Sequence, residues 1–423
     1  TSVSSVKNSY QGQLISPTYL SKITCKNFTI AFFKSKTNEL KFSRELYTLR
    51  YKAWETSTGG QPHFMPFLAY YPERNAEISY PDYLERLVWY KLDSIKILNN
   101  TSKLISQFDF GYNNVPEERL FMKEVIQRRT KGEENPKKYT FNYTGINKLP
   151  PYLSNKVDHW GYYNNTYAFI SDVNSYYSYR EPNPSTLPFG LLNKITYPTG
   201  GYTSFEYEPH SYRKQLSLNR WENCITLPNN KIAGGVRIKK INSFTSPLDK
   251  TGILKEYFYV NDYLTNKENA NISSGVLGGK IKYYFKDYTV YAFNKGGTSL
   301  KKSFFSSQSV LPASENSLGS HIGYSSVVEK RSDGAFSIYK FTNFDNGHMD
   351  EQADAIILQS YSPYNPYTST KQERGLLIAK EEYTSSGQLV ASSTTSYCKN
   401  KEIDNFIRSI KAKSSYMCGG SDA

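Results

Sequence analysis

The sequence predicts an all-β protein, mainly antiparallel and with very little helix. Aromatic residues make up 15% of the chain, including 38 Tyr and 23 Phe, whereas the helix former Met occurs only 4 times. Aromatic and β-branched residues suit half-buried strands. Apolar and polar residues also alternate over many short runs, which is the period of a strand. Disordered chains are poor in aromatics, so this composition indicates a folded protein.

One β-hairpin pattern recurs along the chain. Its clearest copy is 191–207, where an alternating run reaches Tyr197, turns at Gly200 and Gly201, and continues as a second alternating run. Similar hairpins are predicted at 92–110, 123–143, 325–344 and 376–397. A chain that repeats one hairpin builds an extended sheet, so we expect the hairpins to lie side by side.

The order of these runs predicts three regions. Residues 1–150 are expected to form an N-terminal β region of repeated hairpins, interrupted by a Gly- and Pro-rich loop at 55–85. Residues 151–190 are a Tyr- and Pro-rich connection in which prolines limit regular structure. Residues 191–423 form a second β region. The only predicted amphipathic helix is 405–414.

The formal net charge of +14 raises the question of an anionic partner. The basic residues are dispersed over segments predicted to be strands, and no known nucleic-acid-binding motif accompanies them. Specific nucleic-acid binding is therefore not expected. No stretch of about 18 apolar residues occurs, and no membrane span is predicted. The chain begins abruptly at Thr1 and shows no signal peptide, which suggests a portion of a longer protein.

The four cysteines are far apart and form no CxxC pair. They are Cys25, Cys224, Cys398 and Cys418. This spacing allows up to two disulfides or none, and it does not predict a zinc site.

The Asp158-His159 pair is the one local arrangement that suits acid–base chemistry, because a neighbouring carboxylate raises the basicity of an imidazole. The sequence favours the alternative interpretation, a packed corner of the chain in which the hydrogen-bonding groups of the histidine have partners within the protein. No GxSxG, HExxH or GxGxxG pattern is present. We therefore predict no enzyme and no catalytic residue, and keep a hydrolase centred on Asp158 and His159 as an alternative.

An acidic turn carries the densest set of oxygen ligands. Asp345, Asp350, Glu351 and Asp354 surround Gly347, and a hard cation such as calcium needs six or more oxygens. The spacing does not match an EF-hand loop, and an ordinary acidic turn after a strand is the favoured alternative. No other cofactor is predicted.

Two Tyr-rich loops are candidate ligand-binding surfaces. Their residues are Tyr176, Tyr177 and Tyr179 in one loop, and Tyr361, Tyr364 and Tyr367 in the other. Amphipathic aromatic side chains stack well on sugar rings, which makes a polysaccharide the expected partner of a carbohydrate-binding module. Cross-strand packing is the alternative role for such residues.

Several short sequence motifs resemble those of one known group, the large exported RHS-like, YD-repeat-related proteins of Bacteroidetes-type bacteria. The resemblance runs over about 85–420 and is most specific at 158–240 and 321–397. The motifs are Asp-His-Trp-Gly-Tyr-Tyr-Asn at 158–164, Ile-Thr-Tyr-Pro-Thr-Gly-Gly at 195–201, Gly-Gly-Val-Arg-Ile at 234–238, Asp-Gly at 333–334, Tyr-Lys-Phe-Thr-Asn at 339–343, Glu-Arg-Gly-Leu-Leu at 373–377 and Tyr-Thr-Ser-Ser-Gly-Gln-Leu-Val at 383–390.

This resemblance implies an RHS/YD-repeat-like β region at 191–423, with hairpins wound into an extended sheet or an RHS-like shell. It also implies an extracellular or outer-membrane location, export through a type IX secretion translocon, and a cell-surface partner. In better-understood relatives the shell encloses a C-terminal toxin and ends in an autoproteolytic core segment. No such segment, with its Asp-Pro pairing, is recognisable in this chain, so encapsulation and self-cleavage are not expected for this portion.

The predicted function is therefore a non-enzymatic β-scaffold, used for surface structure, adhesion or effector delivery. The carbohydrate-binding module and the hydrolase remain the two alternatives.

Overall fold

The structure is a computed structural model of the 423-residue chain. The residues it describes are 18–38, 89–115, 118–130, 132–152, 154, 156–166, 173–217, 219–249, 251–279, 281, 284–292, 297–305, 320–352 and 367–398. The predicted loop at 55–85 and the predicted helix at 405–414 lie outside these ranges.

Strands account for most of the described residues, which confirms the all-β prediction. The strands are β1 (Lys22–Thr24), β2 (Phe28–Lys36), β3 (Tyr90–Asn99), β4 (Leu104–Tyr112), β5 (Met122–Arg128), β6 (Lys137–Tyr143), β7 (Leu192–Thr196), β8 (Tyr202–Gln215), β9 (Ile225–Phe244), β10 (Ile253–Phe258), β11 (Gly275–Leu277), β12 (Tyr284–Ala292), β13 (Gly297–Phe305), β14 (Ile322–Tyr324), β15 (Ser326–Arg331), β16 (Phe336–Phe341), β17 (Glu351–Gln352), β18 (Tyr367–Thr368), β19 (Leu377–Tyr383) and β20 (Leu389–Thr394).

Helix is scarce among the described residues, as the composition predicts. The α-helices are α1 (Val173–Tyr179) and α2 (Tyr263–Asn266). The 3₁₀ turns are η1 (Ile146–Lys148), η2 (Lys267–Asn269), η3 (Phe344–Asn346) and η4 (Lys371–Glu373). None of the helices in the described ranges is long and apolar enough to cross a membrane.

Sixteen strands share one hydrogen-bonded sheet, and most of them pair in the order of the sequence. The path runs from β1 through β10 and then through β15, β16, β19 and β20, with β11 and β14 attached beside it. Every strand pair with a defined register is antiparallel except β11 with β8. The β12–β13 and β17–β18 pairs form separate two-stranded sheets.

All five predicted hairpins occur in the structure. They are β3–β4, β5–β6, β7–β8, β15–β16 and β19–β20. At the β7–β8 turn Gly200 has φ 88°, a backbone region that glycine occupies at little cost. A Cβ on Gly201 would lie 2.8 Å from the carbonyl oxygen of Phe244, so this turn requires both glycines.

The chain divides into two compact units. Unit 1 comprises Thr1–Asp158, Tyr162–Tyr207 and Lys240–Leu254, and unit 2 comprises His159–Gly161, Glu208–Lys239 and Lys255–Ala423.

In unit 1 the paired apolar side chains at the centre of β2, β3 and β4 share one face of the sheet and are half-buried. Across β2, β3 and β4 the register pairs Phe32 with Ile95 and Ile95 with Phe108. Further along the sheet, Val125 pairs with Tyr139 on β5 and β6. Side chains at alternate positions point to opposite faces, so the intervening polar residues lie on the other face.

Unit 2 contains three clusters of buried apolar residues. The first has Trp160, Tyr212, Ala233, Leu277 and Ile322; the second has Val260, Tyr263, Val328, Phe336, Ile338 and Tyr383; the third has Leu216, Val276 and Phe344. In the second cluster the rings of Phe336 and Tyr383 stack with centroids 4.9 Å apart. These clusters give unit 2 a conventional apolar core.

Candidate functional site

Unit 2 holds two polar clusters that bring charged or titratable side chains together from distant parts of the sequence. The arginine–aspartate network consists of Arg220, Asp350, Thr370 and Arg374. The histidine cluster consists of His210, His321, Tyr324 and Arg237.

The arginine–aspartate network is centred on the long connection between β16 and β19. The side chains of Asp350 and Arg374 are both 0% exposed, and Arg374 Nη1 donates to Asp350 Oδ1 at 2.8 Å. The same nitrogen donates to Thr370 Oγ1 at 2.9 Å and to the carbonyl oxygen of His348 at 3.0 Å. One guanidinium therefore joins three points of a single connection.

Arg220 approaches the same carboxylate from another segment. Its Nε donates to Asp350 Oδ2 at 2.6 Å, and its Nη1 donates to the carbonyl oxygen of Gly278 at 2.8 Å. The backbone N–H of Thr370 also donates to Asp350 Oδ1 at 3.0 Å. Charge-assisted hydrogen bonds of this kind are the strong ones in proteins, and both carboxylate oxygens are engaged.

Aromatic rings cover both guanidinium groups. Arg374 lies 3.9 Å from the ring centroid of Phe344, and Arg220 lies 5.2 Å from that of Tyr367. A cation over an aromatic face gains more when it is removed from water, as Arg374 is. The network therefore combines two arginines with one buried carboxylate, and removal of that carboxylate would leave buried positive charge without its counter-ion.

The predicted calcium ligands have other partners in the structure. Asp345 accepts from Lys214 Nζ at 2.8 Å and from Ser325 Oγ at 2.5 Å, while Asp350 lies in the arginine–aspartate network. Glu351 is exposed on β17, and Asp354 lies outside the described residues. The described part of the chain contains no group of three or more His, Cys, Asp or Glu residues arranged to hold a metal ion.

The histidine cluster brings together residues from β8, β9 and β14, with His321 directly before β14. His210 Nδ1 lies 2.8 Å from Tyr324 Oη, and His321 Nε2 lies 2.8 Å from the carbonyl oxygen of Gly234. The two imidazole centroids are 5.6 Å apart. The guanidinium of Arg237 lies 4.9 Å from the ring of Tyr324, and its fixed positive charge acts on His210.

These surroundings favour neutral imidazoles. Burial, the neighbouring His321 and the charge of Arg237 together lower the pKa of His210 to about 3. Burial also lowers the pKa of His321, although its contact with Gly234 opposes this effect. A base with so low a pKa is poorly matched to proton transfer near neutral pH. The cluster is therefore suited to packing and hydrogen bonding rather than to catalysis.

Asp158 and His159 are both closed to solvent, at 0% and 1% exposure. Asp158 Oδ1 accepts from the backbone N–H of Tyr162 at 2.9 Å, a contact that fixes the local turn. His159 meets the ring of Trp160 edge-on, with centroids 5.6 Å apart. This geometry favours a packed corner over an acid–base pair that a substrate can reach.

The described tyrosines of the two predicted loops are buried or half-buried. Tyr176 is buried on α1 and accepts from Arg180 Nε at 3.2 Å. Tyr177, Tyr179 and Tyr367 are half-buried. Tyr361 and Tyr364 lie outside the described residues.

The described cysteines Cys25, Cys224 and Cys398 are free thiols, and Cys418 lies outside the described residues. Cys224 packs against the third apolar cluster, and burial with the nearby Asp345 raises the pKa of its thiol to about 11. A thiol with so high a pKa is a poor nucleophile at neutral pH.

The sequence did not single out Arg220 or Arg374. Arg374 lies in the motif Glu-Arg-Gly at 373–375. This motif contributes to the family resemblance, but nothing in it predicts that Arg374 is buried. Its carboxylate partner is 24 residues away, and Arg220 is 130 residues from the same carboxylate. No local spacing rule covers such distances, and buried arginines are rare enough that composition does not suggest them.

Comparison with known proteins supplies little beyond this geometry. No family model matches the chain, and no curated protein matches it. Among solved structures, the crystal structure of TcdB2-TccC3-TEV is similar at 8% sequence identity over 72% of this chain, with a TM-score of 0.10. The chain spans about 15% of the length of that protein chain. A likeness this weak carries no argument about fold or function.

Proposed function

We propose that this chain is a non-enzymatic β-scaffold within an exported, RHS-like protein of the bacterial cell surface. The observation that carries the proposal is the order of the sheet, in which successive antiparallel hairpins pair with their neighbours along the sequence. Such an arrangement extends by adding hairpins and needs no ligand to hold it together. The family resemblance of the sequence supplies the extracellular or outer-membrane location and the expected secretion partner.

The polar clusters support a structural role. The carboxylate of Asp350 and the guanidinium of Arg374 are inaccessible, and each bonds to groups of the protein itself. The imidazole of His210 stays neutral at physiological pH. Catalytic groups need access to a substrate and a pKa near the working pH, and these side chains lack one or both.

The location is tested on intact cells of the organism that encodes the chain. Antibodies raised against the 423-residue chain should label unpermeabilised cells, and added protease should remove that label. A periplasmic protein and a cytoplasmic protein serve as controls that must stay protected. Label that appears only after permeabilisation would contradict the proposed location.

The absence of catalysis is tested with a panel of glycoside, ester and peptide substrates. No turnover above background is expected, and His159→Gln should change nothing. Turnover that disappears in His159→Gln but persists in His348→Gln, a second histidine variant as the matched control, would replace the scaffold with the hydrolase alternative.

A further inference from the structure

The turn that follows β16 contains an asparagine–glycine pair. Asn346 is followed by Gly347, and this is the one Asn-Gly pair in the sequence. The backbone nitrogen of the residue after an asparagine can attack the side-chain amide carbon, and glycine hinders this attack least because it has no side chain. Asn346 is exposed, and a Cβ on Gly347 would meet no atom within 4 Å, so solvent reaches both residues. The pair therefore has the chemistry of a deamidation site.

The structure holds the amide of Asn346 in a capping box at the start of η3. Its Oδ1 accepts from the backbone N–H of Asn343 at 2.7 Å, and its Nδ2 donates to the carbonyl oxygen of Phe341 at 2.7 Å. Both partners precede Asn346 in the chain, whereas the reaction brings its amide carbon to the nitrogen of Gly347, which follows it. These two hydrogen bonds must therefore break first, and the folded turn slows the reaction.

The reaction needs no reagent other than water and base. The nitrogen of Gly347 forms a bond to Cγ of Asn346, the Cγ–Nδ2 bond breaks, and Nδ2 leaves as ammonia with the proton that the Gly347 nitrogen has lost. Water then opens the cyclic imide at either of its two carbonyl groups. Opening at one carbonyl gives aspartate at position 346, and opening at the other gives isoaspartate, which lengthens the main chain.

Neither product fits this turn. An ionised carboxylate only accepts hydrogen bonds, so an oxygen would face the carbonyl oxygen of Phe341 where Nδ2 of Asn346 now donates. The carbonyl oxygen of Asn343 accepts from the N–H groups of Asn346 at 3.2 Å and His348 at 3.3 Å. The carbonyl oxygen of His348 in turn accepts from Arg374 Nη1 at 3.0 Å. A change in the turn is thus transmitted to the arginine–aspartate network.

We propose that Asn346 is a deamidation site whose conversion to aspartate or isoaspartate irreversibly loosens the connection between β16 and β19. The folded turn keeps the asparagine intact, and each local opening of the turn exposes the amide to attack by Gly347. Once the amide is lost, the turn cannot return to its original hydrogen bonds. The modification therefore acts as a one-way switch that is built into the turn.

Peptide mapping by mass spectrometry of the 423-residue chain in mildly alkaline buffer tests the site itself. In urea, Asn346 should deamidate before the other asparagines, and in native buffer it should react at least about tenfold more slowly than in urea. Gly347→Ala, compared in urea so that folding plays no part, should slow the reaction at Asn346. Equal rates for wild type in native buffer and in urea, no product in either, or an undiminished rate in Gly347→Ala overturns the proposal.

Native-state hydrogen exchange of Asn346→Asp, which carries the aspartate product from the start, tests the loosening. Amides in 341–352 and 367–376 should exchange at least about tenfold faster than in wild type. Asn269→Asp is the matched control, since it makes the same change at an exposed asparagine of η2 and should leave those amides unchanged. Wild-type exchange in Asn346→Asp, or equal acceleration in the control, overturns the switch. If Asn346→Asp fails to fold, the same exchange measurement on partly deamidated wild-type protein decides the result.

Discussion

The two units of this chain differ in how the apolar side chains of their strands are buried. Among the described strands of unit 1, Phe32, Ile95 and Phe108 lie side by side on one face of the sheet and stay half-buried. Unit 2 gathers its apolar residues into three buried clusters and adds a buried network of charge. Among the described residues, the hairpins of unit 1 rest mainly on cross-strand neighbours, whereas those of unit 2 also pack on buried apolar clusters.

The connections between strands account for much of this contrast. In unit 2 the segments outside the ladder, including α2 and η3, contribute Tyr263 and Phe344 to the apolar clusters. The connection between β16 and β19 also carries Asp350 and Arg374. These segments lie beside the sheet and supply the side chains that a single layer of strands lacks.

The largest expected effect comes from truncating a core ring in unit 2. Phe336→Ala removes a 2% exposed ring that stacks on Tyr383, and it should lower the free energy of unfolding by about 3–5 kcal/mol. Phe108→Ala in unit 1 is the matched change at a half-buried site and should cost about 1–2 kcal/mol. Urea unfolding followed by circular dichroism measures both, and equal losses would contradict the contrast between the units.

A slightly smaller loss is expected at the centre of the arginine–aspartate network. Asp350→Asn removes the negative charge that two arginines share, and it should cost about 3 kcal/mol in urea unfolding. Glu351→Gln changes the same charge at the next, exposed residue and should stay within about 0.5 kcal/mol of wild type. If the two variants are equally stable, the arginine–aspartate network does not stabilise the connection between β16 and β19.

The histidine cluster predicts a graded response to acid. The pKa of His210 is about 3 in the folded chain, against about 6.5 for an exposed histidine, so the unfolded chain binds a proton first as the pH falls. Stability is therefore full above about pH 6.5 and declines below it by about 1.4 kcal/mol per pH unit, until the folded protein also binds the proton near pH 3.

Urea unfolding between pH 7.5 and pH 4.5 measures this slope. Carboxylates contribute to acid sensitivity in both proteins, so the readout is the difference between wild type and His210→Gln, which lacks the titrating group. The variant should show the shallower decline with falling pH. Parallel curves would show that His210 titrates alike in the folded and unfolded chains.

The sequence predicted the sheet well because hairpins are local. The alternating runs and the Gly200-Gly201 turn lie within a few residues of each other, and the structure pairs those runs in the predicted places. The same local reasoning favoured a packed corner at Asp158 and His159, and both side chains are buried.

The polar clusters could not be predicted in the same way. From the sequence, Asp350 is predicted to belong to an acidic turn. Its partners Arg220 and Arg374 are brought to it only when the chain folds. His210 and His321 are 111 positions apart by their residue numbers, and nothing in either neighbourhood indicates that their rings meet. Long-range contacts of this kind depend on how the connections fold beside the sheet, which periodicity does not specify.

Native-state hydrogen exchange tests the contrast between the units most directly, because it reports the stability of each strand within one intact protein. The slowest amides should lie in β15, β16 and β19, around Val328, Phe336 and Tyr383, whereas amides in β2, β3 and β4 should exchange at least about tenfold faster. Protection in β2, β3 and β4 that equals or exceeds that of β16 would contradict the conclusion that unit 2 carries the stable core of this scaffold.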